Sequence, residues 1–300
     1  MTVPGNSWTG RVIGFGAGCL LASVALIGCG SVLQGPGDDG GSGGPGSAPY
    51  DHPTGAEDVL VSIKSDGGFA PLEYNLRSTA QFLLLGDGTV IVPGVMIEIY
   101  PGPAINPLQA GRMSEGQIQE LFAAADEAGL LDAEFDYGQP GVTDVPTTTV
   151  SLTIDGRTVS QSAYGLSYQD APDPNLSAEN VAAREALQGF IDTAHGFPGA
   201  DTEQYGPTGV VAYRLSGESV PPVDEGLDQP PVVWPIAAAP AAPDAAETGI
   251  GSCIVVTGAQ AQTLLGALVQ ANELTPWLIG SEPASRMAFR PLLPGDPGCE

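Results

Sequence analysis

Between Arg11 and Asp38 the chain carries no charge. Residues 12–27 are Val, Ile, Leu, Ala, Phe and small side chains, and no acid precedes Arg11. A basic residue followed by such a run has the plan of a secretory signal. Residues 34–55 then consist largely of Gly, Pro, Ser and Asp. Such a stretch cannot bury enough apolar surface to offset its ordering entropy, so it reads as a flexible tether with a random-coil reach of roughly 25 Å. His52 lies in it and reads as a solvated spacer residue. Any globular core must therefore come from the acidic remainder.

The apolar run closes on Leu26-Ile27-Gly28-Cys29. These residues resemble the lipobox of bacterial lipoproteins: an aliphatic residue, a small or aliphatic one, Gly or Ala, then Cys. The resemblance implies a diacylglyceryl thioether on Cys29, cleavage before it, and residues 1–28 as signal peptide. A thiol is required because sulfur is the nucleophile that takes the lipid. The competing reading is an uncleaved membrane helix over residues 12–33, about long enough to span a bilayer. Both place Arg11 inside and the body outside. A diacyl lipid supplies two chains, enough for stable attachment where one is marginal. The expected location is the extracytoplasmic face of the cell membrane.

Nine Lys and Arg stand against 35 Asp and Glu; without Arg11, eight cations against 35 acids give −27. No basic patch is available for phosphates, so nucleic acid is not an expected partner. The acidity suits cationic partners and repels anionic headgroups. Lys64 is the only Lys, and Ala, Gly and Pro abound, a composition of the GC-rich actinobacterial kind. Beyond the signal there remain 300 − 28 = 272 residues, enough for one large or two ordinary domains, with Cys29, Cys253 and Cys299. With Cys29 lipidated, Cys253 and Cys299 are expected to pair in an oxidising envelope. The bridge would close about 45 residues and contribute roughly 4 kcal/mol. Two buried free thiols are the alternative.

The body reads as α+β, antiparallel sheets with helices packed on one face, with one unit over residues 57–198 and, over residues 205–300, a second small unit or an extension packed on the first. Residues 59–65 alternate as a strand. Residues 81–85 and 89–92 flank Gly86-Asp87-Gly88 as a hairpin. Residues 95–100 alternate with β-branched side chains and read as a strand; Pro101, Pro103 and Pro107 then impose a loop. Ser114 and Gln117 form a capping box for a helix whose face is Ile118, Leu121, Phe122 and Ala125, and Gly129 stops it. Residues 147–154 and 158–163 make a second hairpin over Asp155-Gly156. A helix after Ser177 should bury Val181, Leu187, Phe190 and Ile191. In the second unit, residues 209–215, 250–256 and 287–293 read as strands, and residues 220–231 and 240–246 as loops. Thr257 and Gln260 read as another capping box, opening a helix with Leu264, Leu265, Leu268 and Val269 inward.

Gly67-Gly68-Phe69, Gly86-Asp87-Gly88-Thr89-Val90 and Thr143-Asp144-Val145-Pro146 are similar to uncharacterised domains of bacterial envelope proteins. The ending Phe289-Arg290-Pro291-Leu292-Leu293-Pro294 resembles that of actinobacterial envelope lipoproteins. The Gly-Gly-Phe start also resembles emfourin-type protease inhibitors. The two envelope-protein resemblances imply no activity.

Chemistry is sparse. The body's His195 lies just past a helix and reads as a cation favoured by the helix dipole. There is no nucleophile elbow, His-Glu-x-x-His or Cys-x-x-Cys motif. Asp132, Glu134 and Asp136 are spaced like an EF-hand start, but Tyr137 stands where Gly is required, so a solvated acidic turn is expected. Trp234, Trp277, Tyr100, Tyr164 and Tyr168 could line a groove, with core packing the simpler reading. No catalytic residue, metal or cofactor is assigned. The expected function is a lipid-anchored envelope protein that binds a partner, such as another envelope protein, or supports envelope structure. Two alternatives are a glycan hydrolase using two carboxylates, which needs a pocket with acids of raised pKa, and a small-ligand carrier, which needs an enclosed apolar cavity.

Overall fold

The structure, a computed structural model, describes residues 50–132, 135–168, 173–197, 201–215, 226–242 and 250–299. Cys29 and the whole signal lie outside these residues, as do 220–225 and 243–246 of the two loops expected over 220–231 and 240–246.

Seven strands form the larger sheet: β1 (Val59–Gly67), β2 (Phe82–Leu85), β3 (Thr89–Pro93), β4 (Leu108–Arg112), β5 (Pro146–Ile154), β6 (Arg157–Tyr164) and β7 (Glu203–Gln204). Their order is β6-β5-β1-β2-β3-β4-β7, and every neighbouring pair is antiparallel. Both expected hairpins are present. At β5–β6 the turn residues Asp155 and Gly156 have φ of 51° and 71°, the mirror-image turn whose twist suits a two-residue connection. At β2–β3, Gly88 has φ 84°, and a Cβ there would lie 2.5 Å from the Met113 carbonyl oxygen. Alternation then sorts the faces. Val150, Leu152 and Ile154 are buried, while Thr149–Ser162, Ser151–Ser160 and Thr153–Thr158 hydroxyl pairs run along the outer side of the ribbon.

Two helices join the core of this sheet, α2 (Glu115–Glu127) and α3 (Ala178–His195). Ser114 caps α2 with Gln117 in a reciprocal box, and Ile118, Leu121, Phe122 and Ala125 are its buried stripe. Ser177 and Asn180 make the same box for α3. The α3 stripe differs from expectation. Val181 is exposed and Arg184 is buried, because the Arg184 guanidinium reaches the carbonyls of Tyr137, Tyr164 and Gly165.

The second sheet has the order β10-β8-β12, from β8 (Gly209–Leu215), β10 (Ile250–Thr257) and β12 (Met287–Leu292). Every residue of β8 is buried, since both faces of this strand are covered. One side packs with α4 (Gly258–Leu268) and the Trp234–Trp277–Phe289 cluster. The other side packs with Leu76 of α1 (Leu72–Arg77). A short parallel pair, β9 (Val232–Val233) with β11 (Trp277–Leu278), holds Trp277 and leads directly into Trp234, whose amide donates to the Leu278 carbonyl. The sequence-predicted cap of α4 is not made: Thr257 has no side-chain cap bond, and Gln260 instead accepts from the Ala238 amide. Val269 is 75% exposed rather than inward.

The described residues, from 50 onward, fall in one compact unit. The reason lies in pairs that join distant parts of the chain. Arg77 of α1 binds Glu273 at 2.6 Å, and Arg286 binds Glu73 of α1 at 2.9 Å. The edge strand β7 extends the first sheet from a point just before β8. The end of the segment read as a tether also belongs to the body. The Tyr50 amide donates to Gln119 and its ring meets Phe122. The His52 side chain is only 4% exposed, packed on Phe122 and bonded to Glu115 and the Pro53 carbonyl. His52 is therefore docked on α2 and is not a solvated spacer.

Candidate functional site

The cations of this acidic body are mostly structural. Arg77, Arg184, Arg214 and Arg290 are buried. Arg214 is held by Glu282 and Ser285. Arg290 binds Asp296 at 3.0 and 2.7 Å, donates to the Gly298 carbonyl, and lies over the Tyr213 ring. Tyr213 donates to the same carbonyl, and its pKa is raised by burial. This clamp fixes the chain end where Cys299 is bonded to Cys253 of β10, their Cα atoms 5.7 Å apart.

Beside the clamp is a half-open cleft of about 130 Å³, between Ser62 and Lys64 of β1 and the 290–297 segment. It is smaller than the roughly 300–1,000 Å³ usual for small-molecule sites. Lys64 is engaged with Asp66 at 3.0 Å, and Arg290 with Asp296 at 2.7 Å. The cleft is neither enclosed nor purely apolar, so it does not have the form a lipophilic carrier requires.

Carboxylate chemistry finds no support in the acids whose proton affinity is displaced. Burial works against the Asp87 anion, but the Thr89 amide and Arg112 hold its pKa below the ordinary value. Asp173 is held low by the amides of Asn175 and Gly141. Glu179, at the start of α3, is held low by its own backbone amide and by Ser177. A glycosidase acid needs the opposite shift. The partly buried acids Glu73, Glu273 and Asp296 each neutralise an Arg.

The remaining sequence candidates are dispersed. His195 is the last residue of α3, with its ring against Phe82. Burial lowers its pKa, with Asp192 acting the other way. Glu134 lies outside the described residues, and Asp136 accepts from the Gly138 amide. Among the described residues no three His, Cys, Asp or Glu are grouped to hold a metal. Trp234 and Trp277 are core, while Tyr100 and Tyr168 are exposed.

A different feature stands out. Residues 95–100 are not a strand. They form the tip of a loop over residues 94–107, closed at its base by the Gly94 amide on the Pro107 carbonyl. Farther in, Gly102 donates to Glu273 at 2.6 Å and accepts from the Glu273 amide, while Arg77 holds Pro103 and Asn106. Above this fixed base Val95 and Ile97 are 80% and 70% exposed, and Met96, Ile99 and Tyr100 are exposed with them. The segment alternates as a strand does, but among the described residues no neighbouring strand pairs with it.

No protein-family model, no curated protein and no solved structure matches the chain.

Proposed function

We propose that this chain is an extracytoplasmic module, held on the cell membrane by a lipid on Cys29, that acts by binding another macromolecule. The observation that carries the reading is Leu26-Ile27-Gly28-Cys29 at the end of the charge-free run, with a Gly- and Pro-rich stretch between it and the body. The disulfide supports it, because such a bond persists in an oxidising compartment. With Cys253 and Cys299 joined, Cys29 is the one thiol left after residues 1–28 are removed. Among the described residues no helix is long and apolar enough to cross a membrane. The exposed loop tip supports a binding role, since grouped apolar side chains on a surface mark interaction sites.

Cys29→Ala tests the anchor. The wild-type protein should partition into the detergent phase, with a mass equal to residues 29–300 plus the lipid. The variant should leave the detergent phase or remain unprocessed. A variant that stays membrane-bound, alongside a wild-type protein of full precursor mass, would establish the uncleaved helix instead.

A further inference from the structure

The two ends of the seven-stranded sheet differ in kind. β1 and β3 each run antiparallel to β2, so they point the same way and leave the sheet at one end. From that end emerge the 94–107 loop and, after β1, Phe69, which is 91% exposed, and Tyr74. The turns over Gly86–Gly88 and Asp155-Gly156 lie at the opposite end. There the Asp155 amide bonds the Asp51 carbonyl and the Gly86 amide the Asp58 carbonyl, so the chain from residue 50 joins the body at the end without the apolar residues. The exposed arginines Arg112 and Arg157 also lie there, at the end of β4 and the start of β6, among the acids Asp51, Asp87 and Asp155.

The exposed charges at the apolar end are acidic. Glu98 is exposed within the loop tip, and exposed Asp144 is tied to Phe69, whose amide donates to the Asp144 carbonyl. Lys64 in β1 is already paired with Asp66. Exposed apolar side chains with acids among them, on a chain of net charge −26, are repelled by a second copy and by anionic lipid, and attract a cationic partner.

We propose that the end of the sheet bearing Phe69 and the residue 95–100 tip is a docking surface for a cationic amphipathic protein segment, with apolar side chains at its centre and Lys or Arg around them. This deepens the binding role above and rests on it. The fixed base makes the tip a preorganised anchor, which lowers the ordering cost of association.

The test uses the full chain in neutral detergent and three labelled peptides of about 18 residues: Leu/Lys amphipathic, Ser/Lys of equal charge, and Leu/Glu amphipathic. The Leu/Lys peptide should bind, and the other two should bind at least about tenfold more weakly. Ile97→Ser with Ile99→Ser should weaken Leu/Lys binding roughly tenfold with an unchanged thermal midpoint, because these side chains are exposed. Glu98→Lys should weaken it several-fold and flatten its salt dependence. Unchanged binding in both variants overturns the proposal. So does loop-dependent dimerisation by sedimentation, or loop-dependent binding to phosphatidylcholine vesicles by the Cys29→Ala protein; these assign the surface to a second copy or to lipid. Detergent partitioning of the loop variants reads the anchor separately, so loss of docking and loss of anchoring are distinguishable.

Discussion

His195 shows how position within an element can be legible while its chemistry is not. Its place at the end of α3 follows from the helical pattern, and a helix C-terminus favours a cation. The fold nevertheless lowers its pKa, because the ring lies 6.3 Å from Phe82 and is partly shielded from water. With the folded value below the unfolded one of about 6.5, the unfolded chain holds more protons in the intervening window. Stability from this group is therefore present above the unfolded value and lost as pH falls through the folded one. A ring-proton titration by NMR should place His195 below its midpoint in urea. In His195→Gln the loss of thermal stability on acidification through that window should be smaller. Arg184 makes a related point. A residue that composition assigns to the surface is buried because the carbonyl of Tyr137, in the loop before β5, and those of Tyr164 and Gly165, at the end of β6, take its donors.

At the scale of the element, local chemistry succeeds where both partners lie within a turn of each other. The Ser114–Gln117 box is made: the Gln117 amide donates to Ser114 Oγ and the Ser114 amide to Gln117 Oε1 at 2.8 Å. Thr257 and Gln260 have the same spacing, but Gln260 is taken by Ala238, a residue from another part of the chain. Ser114→Ala should therefore cost about 1 kcal/mol. Thr257→Ala should stay within about 0.5 kcal/mol of wild type. Urea midpoints measured side by side check the contrast. The residue 95–100 segment fails for the same reason as the Thr257 cap. Its alternation is real, but a strand also needs a neighbour, and β3 pairs with β4 only through residues 89–93.

Across the whole molecule, the chain end is stapled twice, by the Arg290–Asp296 clamp and by the disulfide across 46 positions. Both hold the three-stranded sheet, whose central strand has no solvent-facing side. Removing the bridge with Cys253→Ser and Cys299→Ser should lower stability by about 4 kcal/mol on the chain-entropy account. Reductant should shift the wild-type melting midpoint to that of the double variant and leave the variant itself unmoved. The long-range ion pairs explain why the body is one unit. Glu73 and Arg77 are four apart in α1 and could have paired with each other, yet each binds a residue about 200 positions away.

The sequence alone determined both hairpins, the Ser114 capping box, most of the α2 and α3 stripes, the α+β class and the pair of cysteines available for a bridge. Each depends on turn chemistry, periodicity or counting, which act over a few residues or none. Tertiary structure alone decided that Arg184 is interior and Val181 is not, that His52 is docked, that Gln260 serves another segment, and that residues 95–100 face solvent. Burial is a property of what arrives from elsewhere in the chain, and no pattern within a segment encodes the arrival of its neighbour.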